Sequence, residues 1–98
     1  METQLVEPIG LGNCPEENVF RLAGGSSLCN LNELHAALVS MDEYTFRYHV
    51  NSDNNKNDFA SWVKDVLGDK VLARQLNNVL DQKKYAKIVA KRIKKLQA

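Results

Sequence analysis

The stretch "FRYHVNSDNNKNDFASWVKDV", residues 46–66, gathers a histidine, three carboxylates, a run of amides and the only tryptophan of the chain. Oxygen donors at alternating positions are how calcium loops are built, and Asp53, Asn55 and Asn57 fall at the first, third and fifth places of such a loop. The pattern then fails. The sixth place needs glycine for the sharp turn and holds Asp58, while the twelfth needs a bidentate glutamate and holds Lys64. Zinc would have to draw on Cys14, Cys29, His35 and His49, whose gaps of fourteen, five and thirteen residues match neither fingers nor ribbons. Cysteine nucleophile chemistry at Cys29 with His35 or His49 needs a third orienting group and an oxyanion site, and no motif supplies them. "GGSS" at residues 24–27 lacks the Gly-Lys-Ser/Thr of a phosphate loop. The expectation is therefore a non-enzymatic chain with no catalytic residue, metal or cofactor.

The same residues suit a corner between helices. A helix C-terminus favours a protonated His49, and Asp58, nine residues on at the start of the next helix, can hold the ring across the bend. His49, Asn57, Asp58 and Trp62 are read as that structural corner. His35, beside Leu34, reads as a partly exposed surface residue.

A second chemical feature is charge. Residues 82–98 carry Lys83, Lys84, Lys87, Lys91, Arg92, Lys94 and Lys95 and no acid, a charge of +7, whereas residues 1–81 hold twelve acids and six bases, −6, which together give the net +1. Cations near a helix C-terminus complement its dipole and lysine stems can lie along the apolar stripe, so a solvated helix end is the first of three readings. The remaining readings are contact with nucleic-acid phosphates, or docking to an acidic protein surface or membrane headgroups. One aromatic, Tyr85, and one arginine, Arg92, are a poor set for reading bases. Another protein is the expected partner, and nucleic acid is the alternative.

Ninety-eight residues, 44% hydrophobic and 26% charged with two prolines, describe one folded domain with a small core. No apolar run approaches the roughly 20 residues of a bilayer span, no basic start leads into an apolar block, and two isolated cysteines form no disulfide framework. A cytoplasmic protein with reduced thiols is expected.

The spacing predicts a mainly α fold, a compact bundle of four to five short helices with a small N-terminal β-hairpin. Residues 1–17 lack periodicity and contain Pro8, Gly10, Gly12 and Pro15, so they read as a flexible lead-in to a helical domain over 18–98. The hairpin falls at about 19–29 around Gly24 and Gly25, and helices at about 31–41, 43–50, 58–67, 70–80 and 82–96. Asn30 with Glu33 forms a capping box, and Asp42, Asp69 and Asp81 restart the chain as further caps. The stretch "NSDNNKN" reads as a loop, and Gly68 as a left-handed helix stop. The apolar faces are Leu31, Leu34, Leu38 and Met41; Phe59, Trp62, Val63, Val66 and Leu67; Val71, Leu72, Leu76, Val79 and Leu80; and Tyr85, Ile88, Val89, Ile93 and Leu96. Trp62 is expected at the core's centre.

The order "FRLAGGSSL", "LNELHAALVSM", "FRYHV", "NDFASWVKDVLGDKVLA" resembles a family of small uncharacterised archaeal and bacterial helical domains, found alone or appended to larger proteins, over about residues 19–96. Glu33, Leu34, Phe46, His49, Val50, Asn57, Asp58, Phe59, Trp62, Asp69, Leu72 and Ala73 carry the resemblance, and Gly24–Gly25 departs from the family's acidic or amide residue followed by one glycine. The resemblance implies a helical accessory or interaction domain and brings no catalytic residues with it.

Overall fold

In the computed structural model, which describes residues 9–97, five Asn or Asp side chains decide where the helices begin. Asn30 starts α1 (Leu31–Ser40), Asp42 starts α2 (Glu43–His49), Asn57 starts α3 (Asp58–Asp65), Asp69 starts α4 (Lys70–Leu76) and Asp81 starts α5 (Gln82–Gln97). Each side-chain oxygen accepts the N–H three residues on: Glu33 at 2.7 Å, Thr45 at 2.8 Å, Ala60 at 3.4 Å, Leu72 at 3.0 Å and Lys84 at 2.8 Å. Each bond satisfies one amide that the first helical turn leaves without a partner. Glu33 answers Asn30 one residue further out than a capping box requires, accepting from Cys29 N–H at 2.8 Å.

The expected mainly α bundle with an N-terminal hairpin is what forms. Strands β1 (Phe20–Arg21) and β2 (Ser27–Leu28) pair antiparallel, Phe20 opposite Leu28 and Arg21 opposite Ser27. Their turn places Gly24 at φ 107° and Gly25 at φ 106°, a region that a side chain would strain at both positions. Helix α5 packs along α1 and α4, and α3 packs against α4. Leu31, Leu34, Phe59, Val63, Leu72, Leu76, Tyr85 and Val89 are fully enclosed between them.

Several boundaries differ from the sequence expectation, each for a local reason. Helix α4 ends at Leu76 rather than residue 80, because Asn77 is extended and Asn78 adopts φ 65°, a left-handed step that asparagine tolerates. Val79 and Leu80 thus leave the helix, and Leu80 is 52% exposed. Val71, also expected inside, is 46% exposed. Helix α3 stops at Asp65, ahead of Gly68 at φ 72°. The expected loop at 51–57 contains a second small hairpin, β3 (Val50–Asn51) with β4 (Lys56–Asn57). Asparagines build its turn: the Asn51 side chain accepts from Asn54 N–H at 2.9 Å, and Asn55 takes φ 52°.

Of the expected lead-in, residues 1–8 lie outside the described residues, and from Ile9 the chain is hydrogen-bonded to the domain. Ile9 N–H donates to Leu67 C=O at 3.0 Å and Cys14 N–H to Cys29 C=O at 2.8 Å, with Cys14 itself buried. A 3-10 turn at Glu16–Asn18 presents the Asn18 carbonyl to the Trp62 indole N–H at 2.8 Å. This bond draws Trp62 to the edge of the core, 7% exposed, while Phe59 and Tyr85 occupy the centre at 0%. No described helix is long and apolar enough to cross a membrane.

Candidate functional site

Four elements converge on His49. It ends α2, whose last turn leads into β3; β4 feeds α3, whose first residue is Asp58; and the hairpin β1–β2 lies across the ring. The imidazole stacks edge-on to Phe20 with centroids 5.1 Å apart and leans on Phe59 at 5.2 Å. Its Nε2 lies 3.1 Å from Ala23 N–H, and its Nδ1 lies 3.0 Å from Asp58 Oδ2. A nitrogen that accepts from an amide N–H holds a free lone pair, so the proton sits on Nδ1 and is donated to Asp58. The hairpin amide thus occupies Nε2 and Asp58 occupies Nδ1, so neither ring nitrogen is free. The positive charge facing Asp58 comes from Lys56 Nζ, 3.4 Å from Oδ2, which also lies 4.5 Å from the Tyr48 ring centroid.

This arrangement limits what His49 can do chemically. A general base needs a lone pair aimed at a substrate proton. Both ring nitrogens here bridge protein groups, and the side chain is 5% exposed. Asn57 is engaged as fully: its Oδ1 caps α3 and accepts the Tyr85 hydroxyl, while its Nδ2 donates to Leu76 C=O at 2.9 Å. Burial pushes the Tyr85 phenol far above its ordinary range. His49, Asn57, Asp58 and Trp62 are thus joined, through Phe59 and Phe20, into one corner of the bundle.

The other residues weighed for metal or nucleophilic chemistry are placed differently. Asp53 and Asn55 lie exposed at the tip of the second hairpin, while Asn57 and Asp58 turn their side chains into the corner. Among the described residues no three His, Cys, Asp or Glu side chains gather where one metal ion could be held. His35 is half-buried on α1. Burial raises the Cys14 thiol pKa, and hydrogen bonding of the thiol to the Glu33 carboxylate is the main cause raising that of Cys29, so both thiols disfavour the reactive thiolate.

On α5, Lys83, Lys84, Lys87, Lys91, Lys94 and Lys95 are exposed. Arg92 is not part of that set. Its Nε donates to Asp69 Oδ2 at 2.9 Å, with the two side chains 18% and 8% exposed, so it serves as an internal ion pair instead of a phosphate contact. Its place on α5 faces the start of α4, where Asp69 uses its other oxygen as the cap. Tyr85 is fully buried, so α5 offers no ring for stacking. Between α4 and α5 a groove of about 500 Å³ is lined by Val71, Gln75, Ile88, Lys91, Arg92 and Lys95. Lys84, Lys87 and Lys94 border Ile88 in an adjoining hollow of about 440 Å³.

A further cleft of about 410 Å³ opens between α3 and α4, lined by Asn57, Ala60, Ser61, Lys64, Lys70, Ala73, Arg74 and Asn77. Sequence reasoning missed it because Lys64, Lys70 and Arg74 are balanced along the chain by Asp65, Asp69 and Asp81. Only the spacing of Lys70 and Arg74, four apart on one helix, could have hinted at it.

Neither a curated protein nor a solved structure matches the chain significantly. A family model does match residues 16–97, nearly the whole described length, including the corner and all five helices. The chain belongs to that family, DUF5752, a family of unknown function.

Proposed function

We propose that the domain is a non-enzymatic interaction module that holds an acidic, partly apolar segment of another protein along the groove between α4 and α5. One observation carries this reading: Val71, 46% exposed, and half-buried Ile88 form an apolar floor whose rim is lysine and whose lining contains no carboxylate. A solvated lysine face needs no such floor, whereas an amphipathic acidic segment uses both parts. The cytoplasm, where Cys14 and Cys29 stay reduced, is the compartment that suits it.

The second reading is phosphate contact with a nucleic acid, favoured by six exposed lysines on one helix that carries no acid. Fluorescence anisotropy with an acidic amphipathic peptide and with a duplex of equal charge separates the two. Peptide binding should persist in part at 200 mM salt and be lost in Val71→Ser/Ile88→Ser. Duplex binding through six lysines should fall about a thousandfold between 50 and 200 mM salt and ignore that double substitution. Binding of the duplex alone overturns the first reading.

A further inference from the structure

We propose that the cleft between α3 and α4 is a binding site for the phosphate group of a small phosphorylated molecule, held by Lys64, Lys70 and Arg74 with Ser61 as a neutral donor. The three cations come from two helices and line one hollow with Ser61 and Asn77, and no carboxylate lines it. None of the four ion pairs among the described residues involves any of them.

The disposition of the neighbouring acids sharpens the case. Asp69 precedes Lys70 in sequence, but its carboxylate is turned inward, 8% exposed, and spent on the α4 cap and on Arg92. Asp65 follows Lys64 and lies outside the lining. Lys70 and Arg74 are therefore like charges one helical turn apart, an arrangement that disfavours the helix and that a bound anion would offset. The packing of α3 on α4 adds Lys64 to the same hollow without adding its neighbour's negative charge.

The donor set selects the chemistry. Arginine offers a planar fork and lysines offer point charges, a combination suited to the tetrahedral oxygens of a phosphate dianion. At about 410 Å³ the hollow exceeds what a bare phosphate fills, and Ala60 and Ala73 leave room for a small organic body. These cations are separate from the α5 lysines, so this site and the α4–α5 groove can fail independently.

The test is a ¹⁵N–¹H NMR titration of the intact chain with inorganic phosphate, phenyl phosphate and, as an ionic-strength control, sodium chloride. The expected result is a saturable shift centred on the amides of Ser61, Lys64, Lys70 and Arg74. Arg74→Ala and Lys64→Gln should each weaken it about tenfold, and Lys87→Ala/Lys91→Ala should leave it unchanged. Tighter binding of phenyl phosphate supports the proposal, whereas equal or weaker binding means that the hollow takes free phosphate alone and overturns the assignment to a phosphorylated molecule. Shifts that chloride reproduces at matched ionic strength, that never saturate, or that centre on α5 overturn the proposal.

Discussion

The Tyr85 hydroxyl on α5 donates to the same Asn57 side-chain oxygen that caps α3, while the Asn57 amide donates to the last carbonyl of α4. One side chain thus fixes the meeting point of three helices. Tyr85→Phe keeps the packing and leaves Asn57 Oδ1 one partner short, so it should cost about 1–2 kcal/mol in urea denaturation. Asn57→Ala removes the cap and both tertiary bonds and should cost about 2–4 kcal/mol.

Tyr85 also sets an alkaline limit. Burial raises its pKa above the ordinary 10.0, so the neutral phenol stabilises the fold. That contribution is whole below the unfolded pKa and declines as pH rises above it. In a Tyr44→Phe/Tyr48→Phe background, phenolate absorbance should appear together with loss of helical circular dichroism. Ionisation in a chain that is still folded would contradict the burial.

Asp42 works in the opposite direction. The Thr45 N–H bond to its carboxylate lowers its pKa below 3.8, so its stabilisation is present above that value and is lost as pH falls through the folded pKa. Asp42→Asn keeps an acceptor at the cap and should flatten this part of the acid stability curve, whereas Asp42→Ala should lower stability at neutral pH as well. Matched acid titrations of parent and both variants check the sign.

Replacing His49 with phenylalanine preserves an aromatic volume against Phe20 and Phe59 but leaves the Ala23 amide without its acceptor and the Asp58 carboxylate with Lys56 as its remaining partner. We expect a loss of about 1–3 kcal/mol despite the more apolar side chain. Stability equal to the parent would mean that packing alone holds the corner. Ring ¹⁵N shifts should show the proton on Nδ1.

Arg92 and Lys91, neighbours on one helix, should behave differently. Arg92→Ala leaves the nearly enclosed Asp69 charge without its partner and should cost about 2–4 kcal/mol, while Lys91→Ala, at an exposed position, should stay within about 0.5 kcal/mol. Thermal melts of the two variants measure the contrast.

The helical frame could be read from the sequence because its signals are local. Asn30, Asp42, Asp69 and Asp81 each act within three residues of themselves, and the meeting of His49 with Asp58 spans nine residues across one bend. What stayed hidden depends on separation. The bond from Trp62 to Asn18 crosses 44 residues, and no periodicity marks either end. Arg92 sits among lysines of the same charge, and only the packing of α5 on α4 shows that it belongs to Asp69, 23 residues away. The second hairpin was obscured because its strands are two residues each, too short for alternation to register.

The hairpin β1–β2 has only two paired residues in each strand, and a ladder that short would leave the amides near its glycine turn open to solvent deuterium. Leu22 and Gly25 N–H bond within the hairpin, to Ser26 and Leu22 C=O, whereas Ala23 N–H is held by a side chain 26 residues away. Exchange of that single proton therefore reports the opening of the latch between the N-terminal edge and the corner, with the global unfolding of the domain as its upper limit of protection.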